Sequence, residues 1–141
     1  MKKIYFVIFL FCLTLNTNAQ DRKQELSDEL NQQFKSATLY GQSIQIDKYG
    51  SVTCLWKRQT LEYTWKFNIS DLNSMKIVKD DDSSINLSFV CKGICINQTI
   101  YNTVKKQDSS VMQEWASFFL NSETLSNKIL SRLVELQTLN K

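Results

Sequence analysis

The stretch from Thr60 to Ile69 constrains this chain more than any other. Leu61, Tyr63, Trp65, Phe67 and Ile69 alternate with Thr60, Glu62, Thr64, Lys66 and Asn68. A period of two with large apolar groups at every second position puts one face of a strand on a core and the other in water. Such a strand cannot stand alone, so the flanking sequence must supply further strands or helices to cover its apolar face.

Those partners are legible on both sides. Ile44 and Ile46 alternate, "DKYGS" at 47–51 supplies a turn, and Val52, Cys54 and Trp56 alternate again. Beyond the central stretch, "SDLNS" reads as a turn or short helical corner leading into "MKIV" at Met75–Val78. "DDDSS" then closes a hairpin onto a strand from Ser84 to Cys91, followed by a strand from Cys95 to Tyr101. The polar run "NTVKKQDSS" separates these from "VMQEWASFFL", which fits a helix with a Ser110–Gln113 capping box or a strand. The strand is preferred, because a better helix follows at once. Two helices frame the set: Leu26, Leu30, Phe34 and Ala37 recur at helical spacing before Gly41, and Leu125, Ile129, Leu133 and Leu136 do so after Ser122 and Glu123. The expectation is an α+β domain: helix, seven short antiparallel strands, helix, with the strands in a closed or nearly closed barrel or in a sheet covered by the helices.

The first residues, "MKKIYFVIFLFCLTLNTNAQ", place Lys2 and Lys3 before an apolar run from Ile4 to Leu15 and a small polar stretch ending at Ala19. That is the layout of a secretory signal peptide at 1–19, cut after Ala19, and the run is too short to span a membrane. Lipid anchoring at Cys12 is the alternative, disfavoured by the bulky Phe9–Leu10–Phe11 before it. The expected organisation is signal peptide 1–19, helix 20–40 and a β domain with its terminal helix at 41–141. The product is expected to be exported, periplasmic or secreted, with no integral membrane segment in the mature chain. Loss of Lys2 and Lys3 leaves 15 basic against 14 acidic residues, so no nucleic-acid partner is implied. The pairs Lys57–Arg58 and Lys105–Lys106 read as solvated charges.

Export bears on the cysteines, because an oxidising compartment lets them pair. With no histidine and only Cys54, Cys91 and Cys95 in the mature chain, a zinc site is not expected. Cys91 and Cys95 have three residues between them, where a thioredoxin-type site has two, and the chain has no proline for a cis-proline loop. A Cys91–Cys95 disulfide is the expected staple. In a plain hairpin the two demands conflict: opposing the cysteines wastes the apolar alternation, and a "KG" turn that restores it sends the sulfurs to opposite faces. A bulge near Cys95 would satisfy both. Cys54, between Val52 and Trp56 on one strand face, reads as a buried apolar residue.

The stretches "WKFNISDLNSMKIV", "INLSFVCKGICINQTI" and "EWASFFLNSETLSNKILSRLVEL" together resemble the pleckstrin-homology-like superfold, a seven-stranded bent barrel capped by a C-terminal amphipathic helix. They are similar to small exported domains of the Bacteroidetes, and the "NAQ" end of the leader suits that group. The leading helix, the signal peptide and the lack of a dense basic loop depart from ordinary pleckstrin-homology domains, so headgroup binding is not carried over.

No catalytic residue, cofactor site or metal site emerges. Absence of histidine removes every Ser-His-acid triad, and Gly41, Gly50 and Gly93 form no phosphate loop. Asp80, Asp81 and Asp82 suit a hairpin turn better than a calcium loop, and Glu62 with Glu114 would pair only through tertiary structure. The aromatics Trp56, Tyr63, Trp65, Phe67 and Trp115 read as core before groove. Asn68, Asn86 and Asn97 head glycan-acceptor tripeptides that are coincidental in a bacterial export. The expected function is therefore a non-enzymatic, exported binding or interaction domain for an unknown protein or peptide partner, using an open strand edge. An inhibitor or immunity-type protein presenting the "DKYGS" loop is the alternative, and a hydrolase using carboxylates alone is a third.

Overall fold

The computed structural model describes residues 2–81 and 83–141. Of the side chains, those of 1–17 and 82 lie outside the described set, and with them the charged and apolar parts of the expected leader, Cys12 and Asp82. The order is helix α1 (Lys2–Ala37), strands β1 (Gln42–Ile46), β2 (Ser51–Arg58) and β3 (Leu61–Asn68), a 3-10 turn (Ile69–Asp71), then β4 (Leu72–Lys79) and β5 (Ile85–Cys91). After these come β6 (Ile96–Asn102), β7 (Gln107–Gln113), β8 (Trp115–Leu120) and helix α2 (Glu123–Leu139). The fold is α+β with a helix at each end of an all-antiparallel strand region, as the periodicity requires.

Two details of the expectation are corrected. Among the described residues the strands number eight, and they form a five-stranded sheet in the order β1-β2-β3-β6-β7 and a three-stranded sheet in the order β4-β5-β8. The extra strand arises because the expected single strand over 111–120 breaks at Glu114 and its halves belong to different sheets, while β7 reaches back into the polar run to Gln107. At the N-terminal end, one continuous helix covers both the expected leader and the expected 20–40 helix, and it stops at Ala37.

Burial follows the alternation. Trp65, Phe67 and Ile69 are buried, with Tyr63 half-buried, and they meet Ile44, Ile46, Val52 and Cys54 from β1 and β2. The three-stranded sheet adds Leu87, Phe89, Ala116, Phe118 and Leu120 to the same cluster. Leu26, Leu30, Phe34 and Ala37 of α1 and Ile129, Leu133 and Leu136 of α2 complete it, all at 0 % exposure. Ser122 caps α2, its hydroxyl accepting from the Leu125 amide.

The helices are also clasped by charge. Arg22 donates from Nε and Nη2 to Glu135 Oε1 at 2.9 and 2.6 Å, and Arg132 pairs with Glu29 and Glu135. The Arg22 hydrogen bond holds the Glu135 carboxyl below its ordinary range. A carboxyl depressed in the folded state contributes stability above its unfolded pKa, and that contribution is lost as pH falls through the lower, folded one. We therefore expect the mid-acid stability of the protein to decline less steeply in Glu135→Gln than in the wild type, read as unfolding midpoints at a series of pH values. Equal slopes would assign no role to the clasp.

Candidate functional site

In an antiparallel ladder, successive residues direct their main-chain groups alternately to one neighbour and the other. The bonds at Thr103 to Thr60, Asp47 to Ser51, Asp80 to Ser84 and Cys91 to Glu114 fix that alternation for every strand. It follows which residues of each edge strand have main-chain groups facing outward.

Three of the four edges are blunted. At β1, the Asn31 side chain takes both main-chain groups of Ile46: its Nδ2 donates to Ile46 O at 2.9 Å and its Oδ1 accepts from Ile46 N at 2.8 Å. At β8, Gln42 Oε1 accepts from Phe119 N, Thr38 forms a bridge to Leu120, and Asn121 N donates to Ala37 O. At β4, the ladder shifts register between Leu72 and Ser74, and Lys76 and Lys79 stud the strand, Lys79 paired with Glu123. Bulges, lysines and covering side chains are the usual ways an edge is closed to another strand.

β7 has none of these. Residues 107–112 are exposed and Gln113 half-buried, and Asp108 is the one charged residue of the strand. Pairing with β6 uses Gln107, Ser109, Val111 and Gln113, so the N–H and C=O of Asp108, Ser110 and Met112 face outward. No bond to those outward groups is found among the described residues. Val111 and Met112 are each 51 % exposed, one on either face. A polar strand with both faces in water carries no alternation, which is why the sequence did not distinguish it from a connecting loop.

Beside β7 lies the corner that holds the two predicted cysteines. Cys91 and Cys95 are disulfide-bonded, Cα to Cα 5.8 Å. The strands they border do not form the expected hairpin: β5 pairs with β4 and β8, β6 with β3 and β7. Instead β5 runs on into β6 opposite β8 and β7. Val90 faces Trp115, Cys91 N donates to Glu114 O, and Ile96 faces Gln113, so residues 92–95 are extruded from a bent ribbon. The conflict of registers disappears, because the bulge has become a disulfide-closed loop presenting Lys92, Gly93 and Ile94 to solvent. Ile94 and the neighbouring Trp115 are both 62 % exposed.

Cys54 is free and fully buried, and desolvation pushes its thiol well above the usual range. We expect Cys54 to react with an alkylating agent only after denaturation, and peptide mapping to recover Cys91 linked to Cys95. Replacing both paired cysteines by alanine should lower stability by about 2 kcal/mol, the constraint of so short a loop on the unfolded chain.

Other sequence candidates resolve into structure. Asp80 closes the β4–β5 turn, its carboxylate accepting from Asn86 Nδ2 at 2.6 Å and from the Ser84 hydroxyl at 3.1 Å. No group of three or more potential metal ligands occurs among the described residues. Glu62 pairs with Lys57 at the Tyr101 end of the β3–β6–β7 region, and Glu114 sits past Gln113 at the other end. Five residues of strand separate those ends, about 17 Å, so the two carboxylates do not converge. The "DKYGS" loop is tied down by Asp47 Oδ1, which accepts from Tyr49 N and Ser51 N, and by Asn68 and Asn140, which donate to its carbonyls.

Of the aromatics, Trp65 and Phe67 are core, Trp56 and Tyr63 half-buried, Trp115 exposed. Tyr40, Trp56, Arg58 and Phe119 line a shallow cleft of about 460 Å³. Its rings are held in place: Trp56 Nε1 donates to the main-chain carbonyl of Tyr40, and the Tyr40 ring packs edge-on against Phe119. A larger cleft of about 920 Å³ runs between α1 and β1, past the Asn31 clamp. No helix among the described residues is long and apolar enough to cross a membrane. Comparison with protein-family models, curated proteins and solved structures returns no match.

Proposed function

We propose that this chain is an exported, non-enzymatic interaction domain that binds an extended protein segment by strand addition on β7. The carrying observation is the contrast among edges: β1 and β8 are each obstructed at one end by a side chain, at Ile46 and at Phe119, and β4 carries a register shift and lysines, while β7 offers outward main-chain groups at Asp108, Ser110 and Met112 along its length. Main-chain pairing supplies affinity in this mode, and the side chains flanking the edge supply selectivity. Export is supported by the leader-like N-terminal sequence and by the Cys91–Cys95 disulfide. Likeness to the pleckstrin-homology-like superfold rests on antiparallel strands with a terminal helix over their apolar faces, and brings no ligand with it.

The test is a photo-crosslinking residue at Met112, with Lys76 on the β4 edge as control, in the cell that produces the protein. A discrete adduct is expected at Met112 and not at Lys76, and it should vanish with Ser110→Pro. That proline removes an outward N–H without touching the β6 ladder. Adducts that survive Ser110→Pro, or no adduct at all, would overturn strand addition.

A second reading, an inhibitor that inserts a rigid loop into a partner's cleft, is favoured by the extruded 92–95 loop and its exposed Ile94. In that case Ile94→Asp should abolish partner binding while Ser110→Pro leaves it intact.

A further inference from the structure

We infer that the segment added to β7 is the β7 strand of a second copy of this chain, paired antiparallel about a twofold axis at Ser110. This rests on the strand-addition reading and names its occupant. In an isologous pair the same patch serves both subunits, so the edge must be complementary to its own reversal. From Lys106 to Glu114 the sequence reads KQDSSVMQE. Reversed about Ser110, it places Ser110 opposite Ser110 of the partner copy, Asp108 opposite Met112, and Lys106 opposite Glu114, the last two pairs occurring twice.

Each of the outward-facing residues Asp108, Ser110 and Met112 then meets another outward-facing residue, and each opposed pair exchanges two main-chain bonds. No like charges face each other. Beyond the ladder at both ends, where Lys106 and Glu114 need no main-chain pairing, their long side chains, exposed in the single chain, come within reach of each other. The result is a five-stranded sheet continued into its copy, with β7 no longer an edge.

The neighbouring registers fail on the same residues. Shifting the axis toward Val111 sets Asp108 opposite Glu114, a doubled repulsion, and the Glu114 carbonyl is already taken by Cys91 N. Shifting it toward Ser109 sets Met112 opposite Lys106, whose φ of +52° is left-handed and cannot extend a ladder. The Ser110 axis alone engages all three outward residues and joins opposite charges.

Sedimentation velocity of the protein across the micromolar range tests this. The wild type is expected to dimerise and Ser110→Pro to be monomeric, with near-UV circular dichroism confirming an unchanged fold. Glu114→Lys should weaken the dimer about tenfold at low salt, since it turns two attractive pairs into repulsive ones, and Lys106→Glu added to it should restore the affinity. A wild type monomeric throughout, a dimer that survives Ser110→Pro, or a double variant no tighter than Glu114→Lys would overturn the inference. The mass of the Met112 adduct separates the two levels. Twice the chain mass supports both, an adduct with a different protein sinks the second-copy inference and leaves strand addition standing, and no adduct removes both.

Discussion

Phe118→Ala is expected to lower the free energy of unfolding by about 3 to 5 kcal/mol, the cost of truncating a fully buried aromatic residue. Phe118 comes from β8 of the three-stranded sheet and is 1 % exposed. Its ring stands edge-on to Trp65 of the five-stranded sheet at 5.3 Å and lies 6.0 Å from Phe89 of β5. Removing it leaves a void between the two sheets, lined by large rigid rings that cannot collapse into the space. Trp115→Ala on the same strand removes a larger side chain, yet that indole is 62 % exposed and should cost under about 0.5 kcal/mol. Urea unfolding of the two variants side by side is the measurement. Comparable losses would mean that the faces of β8 are assigned the wrong way round.

Gly50→Ala should cost about 2 to 5 kcal/mol, through two effects that add. Gly50 has φ +80°, where an L side chain is disfavoured by about 1 to 2 kcal/mol. A Cβ built there would also lie 2.6 Å from Cγ1 of Ile69, which is completely buried at the 3-10 turn. Forcing a methyl group against a packed side chain costs about a further 1 to 3 kcal/mol. Gly93 serves as the control: it is exposed in the disulfide-closed loop, nothing lies within 4 Å of its built Cβ, and Gly93→Ala should change stability little. Thermal unfolding that ranks the two glycines equally would show that the β1–β2 turn is not held against Ile69.

The disposition of apolar groups along each element was legible because burial imposes a period locally. Trp65 and Phe67 inside, Glu62 and Lys66 outside, and the stripes Leu26–Leu30–Phe34 and Ile129–Leu133–Leu136 all follow from alternation or helical spacing. The cysteine pair was legible from proximity and from the expectation of export, and its surroundings were not. A hairpin was expected because β5 and β6 are consecutive, whereas the chain turns a corner at residues 92–95 and passes into the other sheet.

β7 shows the limit most clearly. Gln107–Gln113 alternates nothing, since neither face is buried, and its importance lies in having no neighbour on one side. Being an edge is a property of the whole set of strand pairings. The sequence alone determined the α+β class, the two helices, the inward face of β3 and a core-bound Cys54, all consequences of local apolar periodicity. Only the tertiary structure decided which strands pair, that Glu114 divides one strand into two, and that Asn31 and Gln42 obstruct two edges at Ile46 and Phe119 while β7 stays unobstructed. Those outcomes depend on contacts between residues far apart in the chain, whose energies no local pattern records.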